Sequence, residues 1–563
     1  MQYLNPIYSE ETRCRDCYKC IRECPVKAIR VVNGEAEVIP EACILCGHCV
    51  DACPVGAKRV RDDLRRSIHL VKRKKTFLSL APSFKGEFKN CSVNQLATAV
   101  KSLGFTGVSE TALGAEEVSF AVAEFLTERK GLVLSSACPS AVELVLKHLP
   151  DFAEYISPFF SPLLAHCCML RHVYGEEIGI VFVGPCIAKK QEADQFGNLL
   201  DVAITFEDLH RWFENEGIDP SEIEPEDKLG FVPRESGRGA LYPVEGGMIS
   251  TVRNRVEKRD AVYLTLSGVD NIRNTLETFD TKHFHRRMFV ELLACENGCI
   301  GGPKATCRAS IDSRLEVIDY AQDKSQILSG EYVNQIMHTF RAESKQNNPV
   351  SQDRIAAALA TIGKVKSEDE LNCGSCGYVS CREFALAMIE KKAEQCMCVS
   401  YMRVLAQKQA NALLKTIPYG VVIVDKELKI IDCNDNFAQL LGDDIRSIFQ
   451  VRPGLVNADL RRVLPFHDLF SNVLKTGNDI TQHFVKTEDK TYAITIFTVE
   501  PNQVAGALVR DATKTEMRRE QIIEKAQEVI SNTSNTAQEI AFLMGKNAAQ
   551  SEKILNSLIE SFS

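Results

Sequence analysis

Eight cysteines near the N-terminus fall into two runs with the same internal spacing. Cys14, Cys17, Cys20 and Cys24 are followed by Pro25, and Cys43, Cys46, Cys49 and Cys53 by Pro54. Each run reads C-x2-C-x2-C-x3-C-P. Thiols packed this closely on short loops suit shared inorganic ligation, and the surrounding chain must fold around whatever they hold. The sequence has 22 cysteines in 563 residues, most of them clustered at short gaps. The first residues, Met1 to Thr12, lack a basic region followed by an apolar core, so a secretion signal is not expected and a cytoplasmic location is. Clustered cysteines in such a chain favour metal ligation over disulfides. The remainder is globular in composition, 45% hydrophobic and 25% charged, and its length suggests several domains. A formal net charge of −8 gives no reason to expect a nucleic-acid or anionic-membrane partner. No apolar run approaches the roughly 18 residues of a membrane helix.

The duplicated run resembles the bacterial two-cluster ferredoxins. In that pattern the first three cysteines of each run wrap one 4Fe–4S cluster, and the fourth crosses to the other. Cys14, Cys17, Cys20 and Cys53 are therefore expected to hold the first cluster, and Cys43, Cys46, Cys49 and Cys24 the second. Paired zinc knuckles are the competing reading, against which the repeated spacing and both prolines weigh. Residues 1–70 read as an electron-transfer domain. The basic segment Lys72–Lys75 reads as a solvated linker, with docking of an acidic redox partner as the alternative.

Between residues 75 and 330, apolar runs such as T-F-L-S-L-A-P, G-L-V-L-S-S and I-G-I-V-F-V-G end in small residues, prolines or cysteines. Helix-like segments, including Val93–Leu103 and Glu116–Glu128, alternate with them. The pattern predicts α/β architecture with functional residues in loops at strand ends. Three such loops carry cysteines: S-S-A-C-P at Cys138, V-G-P-C-I-A-K-K-Q-E at Cys186, and E-L-L-A-C-E-N-G-C-I-G-G-P at Cys295 and Cys299. Together they offer four thiolates, enough for one cubane cluster.

In this order, the three loops resemble the signature loops of the iron-only (FeFe) hydrogenases. Ala81–Ser83, Leu103–Phe105, Ala115–Glu117 and Glu245–Arg253 add weaker matches. The resemblance implies an H-cluster, a 4Fe–4S cube joined through one thiolate to a diiron unit with carbonyl, cyanide and bridging dithiolate ligands. It implies Cys138, Cys186, Cys295 and Cys299 as ligands, with Cys299 as the bridge. Pro82, Ser83, Gly184, Pro185 and Leu293 fall at positions around the diiron unit. Lys189 matches a lysine that contacts a cyanide, as a charge-assisted hydrogen bond allows, and Glu192 matches the motif glutamate. The departures bear on activity. Ala137 stands where catalytic members have a proton-relaying cysteine, and a methyl group cannot carry a proton. Glu117 and Ser157 fall at relay positions, but Phe120 occupies another. Gly184 and Leu293 replace two flanking methionines, and Ala141 replaces a tryptophan. Cys91, Cys167, Cys168, Cys307 and Cys433 fit no ligand pattern.

A helical linker is expected over residues 331–365, with a helix at Asp353–Ile362. Residues 366–402 hold Cys373, Cys376 and Cys381 in C-x2-C-G-Y-x2-C, resembling a small helical 4Fe–4S domain, with a helix expected at Arg382–Glu394. Cys398 is the expected fourth ligand and Cys396 the alternative; zinc is the competing metal. Residues 403–513 resemble a PAS domain, with a hairpin at Val421–Asp425 and Lys429–Cys433 and helices from Asn434. Residues 514–563 carry apolar stripes that suit signalling or dimerisation helices.

The fold class expected is multidomain α/β and α+β. A two-cluster ferredoxin module, a hydrogenase-type domain, a 4Fe–4S domain, a PAS-like domain and terminal helices follow in order. The missing relay and the PAS-like half together suggest a hydrogen sensor of low turnover, with three 4Fe–4S clusters and the H-cluster as cofactors. H2 and protons are the expected substrates. The expected partners are a ferredoxin-type protein, a second copy of the chain, and a downstream kinase or phosphatase. Two alternatives stay open: a ferredoxin-linked catalytic hydrogenase with another proton path, and a non-catalytic iron–sulfur scaffold.

Overall fold

The structure is a computed structural model. It describes residues 5–512 apart from 11–12, 227–228, 254–260, 282–285, 307, 309, 323, 325–330, 333, 343–349 and 488–489. The stretch 514–563, where terminal helices are expected, lies outside the described residues, as does Cys307. The chain divides into two compact units, Met1–Cys398 and Val399–Ser563.

The first unit begins with two small antiparallel pairs. Strand β1 (Ile7–Ser9) pairs with β4 (Lys58–Val60), and β2 (Ile29–Val32) with β3 (Glu35–Val38). Each cysteine run carries one short helix, Lys19–Arg22 or His48–Ala52, entered through a left-handed residue, Tyr18 or Gly47.

The central domain holds two parallel sheets. One has the order β6-β5-β8-β9, built from β5 (Thr76–Leu80), β6 (Gly107–Glu110), β8 (Gly179–Gly184) and β9 (Val202–Thr205). The other has the order β10-β11-β7, from β7 (Leu132–Leu134), β10 (Ala261–Ser267) and β11 (Arg287–Leu293). Strands β5, β7 and β8 are buried along their whole length, the pattern of a parallel sheet covered on both faces. Strand β10 stays partly exposed along its length, so it lacks the buried-run signal that marks the others in the sequence. The helix Ala112–Glu128 starts earlier than the expected Glu116, because Thr111 leads straight from β6 into it.

Two expectations are corrected here. Ile336 and His338, in the stretch where a helical linker is expected, are packed onto the central domain. Ile336 is fully buried, its carbonyl accepts from Phe160 N–H at 2.8 Å, and His338 stacks on Phe160 with ring centroids 4.9 Å apart. The helix of the additional module spans Cys381–Ile389 and stops short of Glu394. Lys391 turns left-handed (φ 58), and the Lys392 and Ala393 N–H groups fold back onto the Ala387 carbonyl. The helix Gln352–Thr361 packs against it.

The second unit opens with a helix, Val399–Thr416, followed by a five-stranded antiparallel sheet of order β13-β12-β16-β15-β14. Its strands are β12 (Gly420–Asp425), β13 (Ile430–Cys433), β14 (Ile480–Lys486), β15 (Thr491–Glu500) and β16 (Val504–Asp511). Asn434 starts the helical segment as expected. Its side-chain oxygen accepts from Phe437 N–H at 2.9 Å and Val421 N–H at 2.8 Å, and its amide donates to the Tyr419 carbonyl at 2.7 Å.

The helix Pro162–Tyr174 is fastened to the first sheet through His166, which is fully buried. Ser79 on β5 lies 2.8 Å from its Nδ1 and Ser109 on β6 lies 2.8 Å from its Nε2. Burial pushes the imidazole down to about 3, so the folded protein holds it neutral. The unfolded chain takes up that proton near pH 6.5, so this contribution is full above pH 6.5 and is lost as pH falls. In chemical denaturation, lowering pH from 7 to 5 should cost the wild type about 2 kcal/mol more than it costs His166→Gln.

Candidate functional site

The C-terminal ends of both parallel sheets open onto one cavity of about 90 Å³. Ala81, Pro82 and Ser83 follow β5, Thr111 follows β6, Ala137 and Cys138 follow β7, Pro185 and Cys186 follow β8, and Leu293 to Cys295 end β11; all of them line it. Cys299 completes the wall from a short turn, Gly298–Gly301. Four thiols carried on two sheets thus face one space. This follows from parallel topology, in which the loops at strand C-termini share one edge of the domain.

The thiols crowd one another electrostatically. Burial, then the charge of Cys138, pushes Cys186 up to about 11. Burial, then Cys138 and Cys186, pushes Cys295 and Cys299 well above the ordinary thiol range. Four thiolates cannot coexist here without a positive centre among them. Among the described residues, no three His, Cys, Asp or Glu side chains converge as they would on a single ion. The thiols instead surround open space, which suits a cluster whose iron corners each take one thiolate.

Ser83 and Lys189 are polar groups of the same cavity lining. The Ser83 hydroxyl is buried and has no hydrogen-bond partner among the described residues. Such a group costs about 1–3 kcal/mol unless something in the cavity bonds to it. The Lys189 ammonium donates to Glu192 Oε2 at 2.7 Å and to Ser161 Oγ at 3.0 Å. An ammonium has three N–H donors, which leaves one for an anionic group in the cavity.

The N-terminal module brings its own cysteines together across the two runs. A second, apolar cavity is lined by Cys24 with Cys43, Cys46 and Cys49. The charges acting on Cys20 include those of Cys17, Cys14 and Cys53. The second set adjoins the central cavity: Cys46 is among the charges felt by Cys295. Lys147 of the helix Pro139–His148 donates to the Cys43 carbonyl at 2.8 Å, and the His148 ring meets the Ala42 carbonyl at 2.8 Å. Gly47 (φ +87) lies flat against Pro303, where an added Cβ would come within 2.4 Å of the proline Cβ.

With this geometry in view, the comparisons with known proteins are decisive for the central domain. Residues 74–303 match the family model described as iron only hydrogenase large subunit, C-terminal domain. Over those residues the central domain is similar to an iron-only hydrogenase domain. Residues 6–54 match a 4Fe-4S dicluster domain, residues 369–400 an Fe-S cluster domain, and residues 409–476 a PAS domain. Iron–sulfur cofactors follow from these matches. A comparison with curated proteins gave no match. Among solved structures, the chain is similar to the [FeFe]-hydrogenase HydA(deltaEFG), a structure titled for stepwise H-cluster assembly. The identity is 17% and the TM-score 0.43, over 50% of this chain and 99% of that one. A variant of HydA1 from Chlamydomonas reinhardtii gives 17% identity and a TM-score of 0.42 over the same shares. The PAS domain of an HTR-like protein from Haloarcula marismortui covers 20% of this chain and 96% of its own, with 17% identity and a TM-score of 0.14.

Several residues singled out in the sequence lie away from the hydrogenase-domain cavity. Glu192 acts on it through Lys189 and does not line it. Ser157 is buried and donates to Ser136 at 3.0 Å, beside Ala137. Glu117 is buried and accepts from Tyr332 N–H at 3.3 Å. Neither lines the cavity. Gly184 does not line it either; the Phe182 ring takes that space, with Cζ 2.6 Å from where a Cβ on Gly184 would stand. Phe182 and Gly184 share one face of β8, so the aromatic ring excludes a methionine at 184 and supplies an apolar wall itself.

Among the lining residues not singled out in the sequence are Phe182, Thr111 and Glu291. Glu291 accepts from Gly246 N–H at 2.8 Å, Met248 N–H at 3.0 Å and the Thr265 hydroxyl at 3.0 Å, and burial pushes it up to about 7. It ties the Glu245–Arg253 motif to β11. Its position in E-x-x-A-C was the available signal.

In the additional module, Cys376 feels the charges of Cys398 and Cys373. Cys396 instead meets the Tyr18 hydroxyl at 3.8 Å and donates to Glu394 at 3.6 Å. Cys381 begins the helix Cys381–Ile389, its N–H held by Asn372 Oδ1 at 2.8 Å. The four spare cysteines that are described, Cys91, Cys167, Cys168 and Cys433, are buried. Gly47→Ala should strain a positive-φ residue and push the cysteine loop off Pro303. The expected loss is about 2 kcal/mol or more of stability, read as a lower melting temperature and faster proteolysis between the N-terminal module and the hydrogenase domain.

Proposed function

We propose that this chain is a hydrogen-sensing protein of the iron-only hydrogenase kind, reacting reversibly but slowly with hydrogen. The observation that carries the reading is the cavity itself, with four crowded thiols, an ammonium and an unpartnered hydroxyl, and with Ala137 at its wall where a proton carrier is needed. Cys138, Cys186, Cys295 and Cys299 would hold an H-cluster, with Cys299 bridging to its diiron unit. That group, when bound, supplies the binding and heterolytic cleavage of hydrogen.

The protein's own part is positioning and exclusion. Lys189, oriented by Glu192 and Ser161, offers one N–H to an anionic ligand, and Ser83 offers its hydroxyl. Phe182, Leu293 and the prolines Pro82 and Pro185 keep the wall apolar and exclude water. Ala137 gives no atom that can hold or pass a proton, so proton exit is slow. Cys14, Cys17, Cys20 and Cys53 hold one 4Fe–4S cluster in this reading. Cys24, Cys43, Cys46 and Cys49 hold a second, and Cys373, Cys376, Cys381 and Cys398 a third.

Support for a sensory output comes from the order of the chain. Cys398 is followed at once by the helix Val399–Thr416, which leads into the PAS domain. A change of charge at the third cluster biases a conformational equilibrium in that helix and the PAS domain, which dimerises or docks a signalling kinase or phosphatase. A ferredoxin-type protein exchanges the electrons.

Hydrogen evolution by the matured full-length protein, driven by a reduced viologen, tests this reading. Turnover should be slow, and Ala137→Cys should raise it by about tenfold or more, within what a positioned proton carrier contributes. Rapid evolution by the unmodified protein, or no gain on substitution, would overturn it.

A further inference from the structure

The additional iron–sulfur module is seated on the N-terminal module. Lys392 carbonyl accepts from Val31 N–H at 2.9 Å, Glu394 accepts from Asn33 N–H at 2.8 Å and Gly34 N–H at 3.3 Å, and Arg22 donates to the Ser375 carbonyl at 3.2 Å. At the centre of this junction Gly377 (φ +93) fits against Ile21 and Arg22, where an added Cβ would come within 3.0 Å of Ile21 Cγ2. The next residue, Tyr378, is 5% exposed. Its ring packs near Phe384, with centroids 5.7 Å apart. Its hydroxyl is buried and has no hydrogen-bond partner among the described residues.

The surroundings of that hydroxyl say what it serves. The charged groups nearest in influence to it are, in order, Cys376, Cys24 and Glu390. The phenol is therefore within electrostatic reach of a thiol of the additional module and of the thiol that crosses from the first cysteine run to the second. An O–H with no protein acceptor beside thiolate-ligated iron has cluster sulfur as its natural acceptor. Hydrogen bonds to cluster sulfurs stabilise the more negative, reduced state and so raise the reduction potential.

Resting on the cluster assignment above, we propose that Tyr378 donates its hydroxyl to a sulfur of the iron–sulfur group held by Cys373, Cys376, Cys381 and Cys398. It thereby sets the potential of that group at the junction with the N-terminal module. Tyr378 is a positioning residue in this sense: it takes no electron and gives up no proton, and it makes the additional cluster easier to reduce than it is without that bond.

The test is a redox titration of the reconstituted full-length protein followed by electron paramagnetic resonance, with Cys376→Ser used to assign the signal of the additional cluster. Tyr378→Phe keeps the ring. It should retain its iron and shift that cluster's midpoint to a more negative potential, leaving the other midpoints in place. An unchanged midpoint overturns the inference. Wild-type protein made with fluorinated tyrosine, a stronger hydrogen-bond donor, should move the same midpoint the other way; no movement overturns the inference even if the phenylalanine variant loses iron. Absence from the wild type of any signal removed by Cys376→Ser would instead overturn the cluster assignment, and this inference with it.

Discussion

Mutual repulsion among buried thiols is the constraint on which the rest of the first unit depends. Cys138, Cys186, Cys295 and Cys299 come from loops far apart in sequence, and burial together with each other's charge drives the last three toward their neutral form. Only a positive inorganic centre makes such a set favourable as thiolates. The two parallel sheets place the four thiols at one edge, and the apolar wall keeps water from screening them. Lys189 and Ser83 then add donors where a cluster with anionic ligands needs them. The same logic recurs in the N-terminal module, where Cys24 leaves its own run to join Cys43, Cys46 and Cys49 around a second cavity.

Much of this was legible because it is local. Cysteine spacing, the prolines after each run and the apolar strands ending in cysteine loops are patterns of a few residues, and they point to the modules in the right order. The i, i+3 placement of Lys189 and Glu192 likewise reads directly from sequence as a pair on one helix face. What escaped notice depends on contacts between distant segments. Strand β10 is half-exposed and carries no buried run. The segment 331–338 looked like linker because its anchors, Phe160 and the carbonyl partner at Ile336, lie on different parts of the chain. Gly184 stands in place of a flanking methionine, and only the fold shows the Phe182 ring in that space. Gly47 against Pro303 and Tyr378 at its junction are equally invisible to spacing arguments.

The balance between ligation and proton movement gives the protein its character. Four thiols, an ammonium and an unpartnered hydroxyl line one cavity, Ala137 beside them carries no titratable atom, and Ser157 ends on Ser136 one residue away. The proposed reading, a centre with slowed turnover that continues into an iron–sulfur module and a PAS domain, is the arrangement of a chain that reports on hydrogen more than it consumes it.

Infrared spectroscopy of the full-length protein after maturation with the diiron unit tests the central claim most directly. The account predicts sharp carbonyl and cyanide bands that shift under hydrogen and disappear in Cys299→Ala. A matured protein with full iron–sulfur content and no such bands would contradict it.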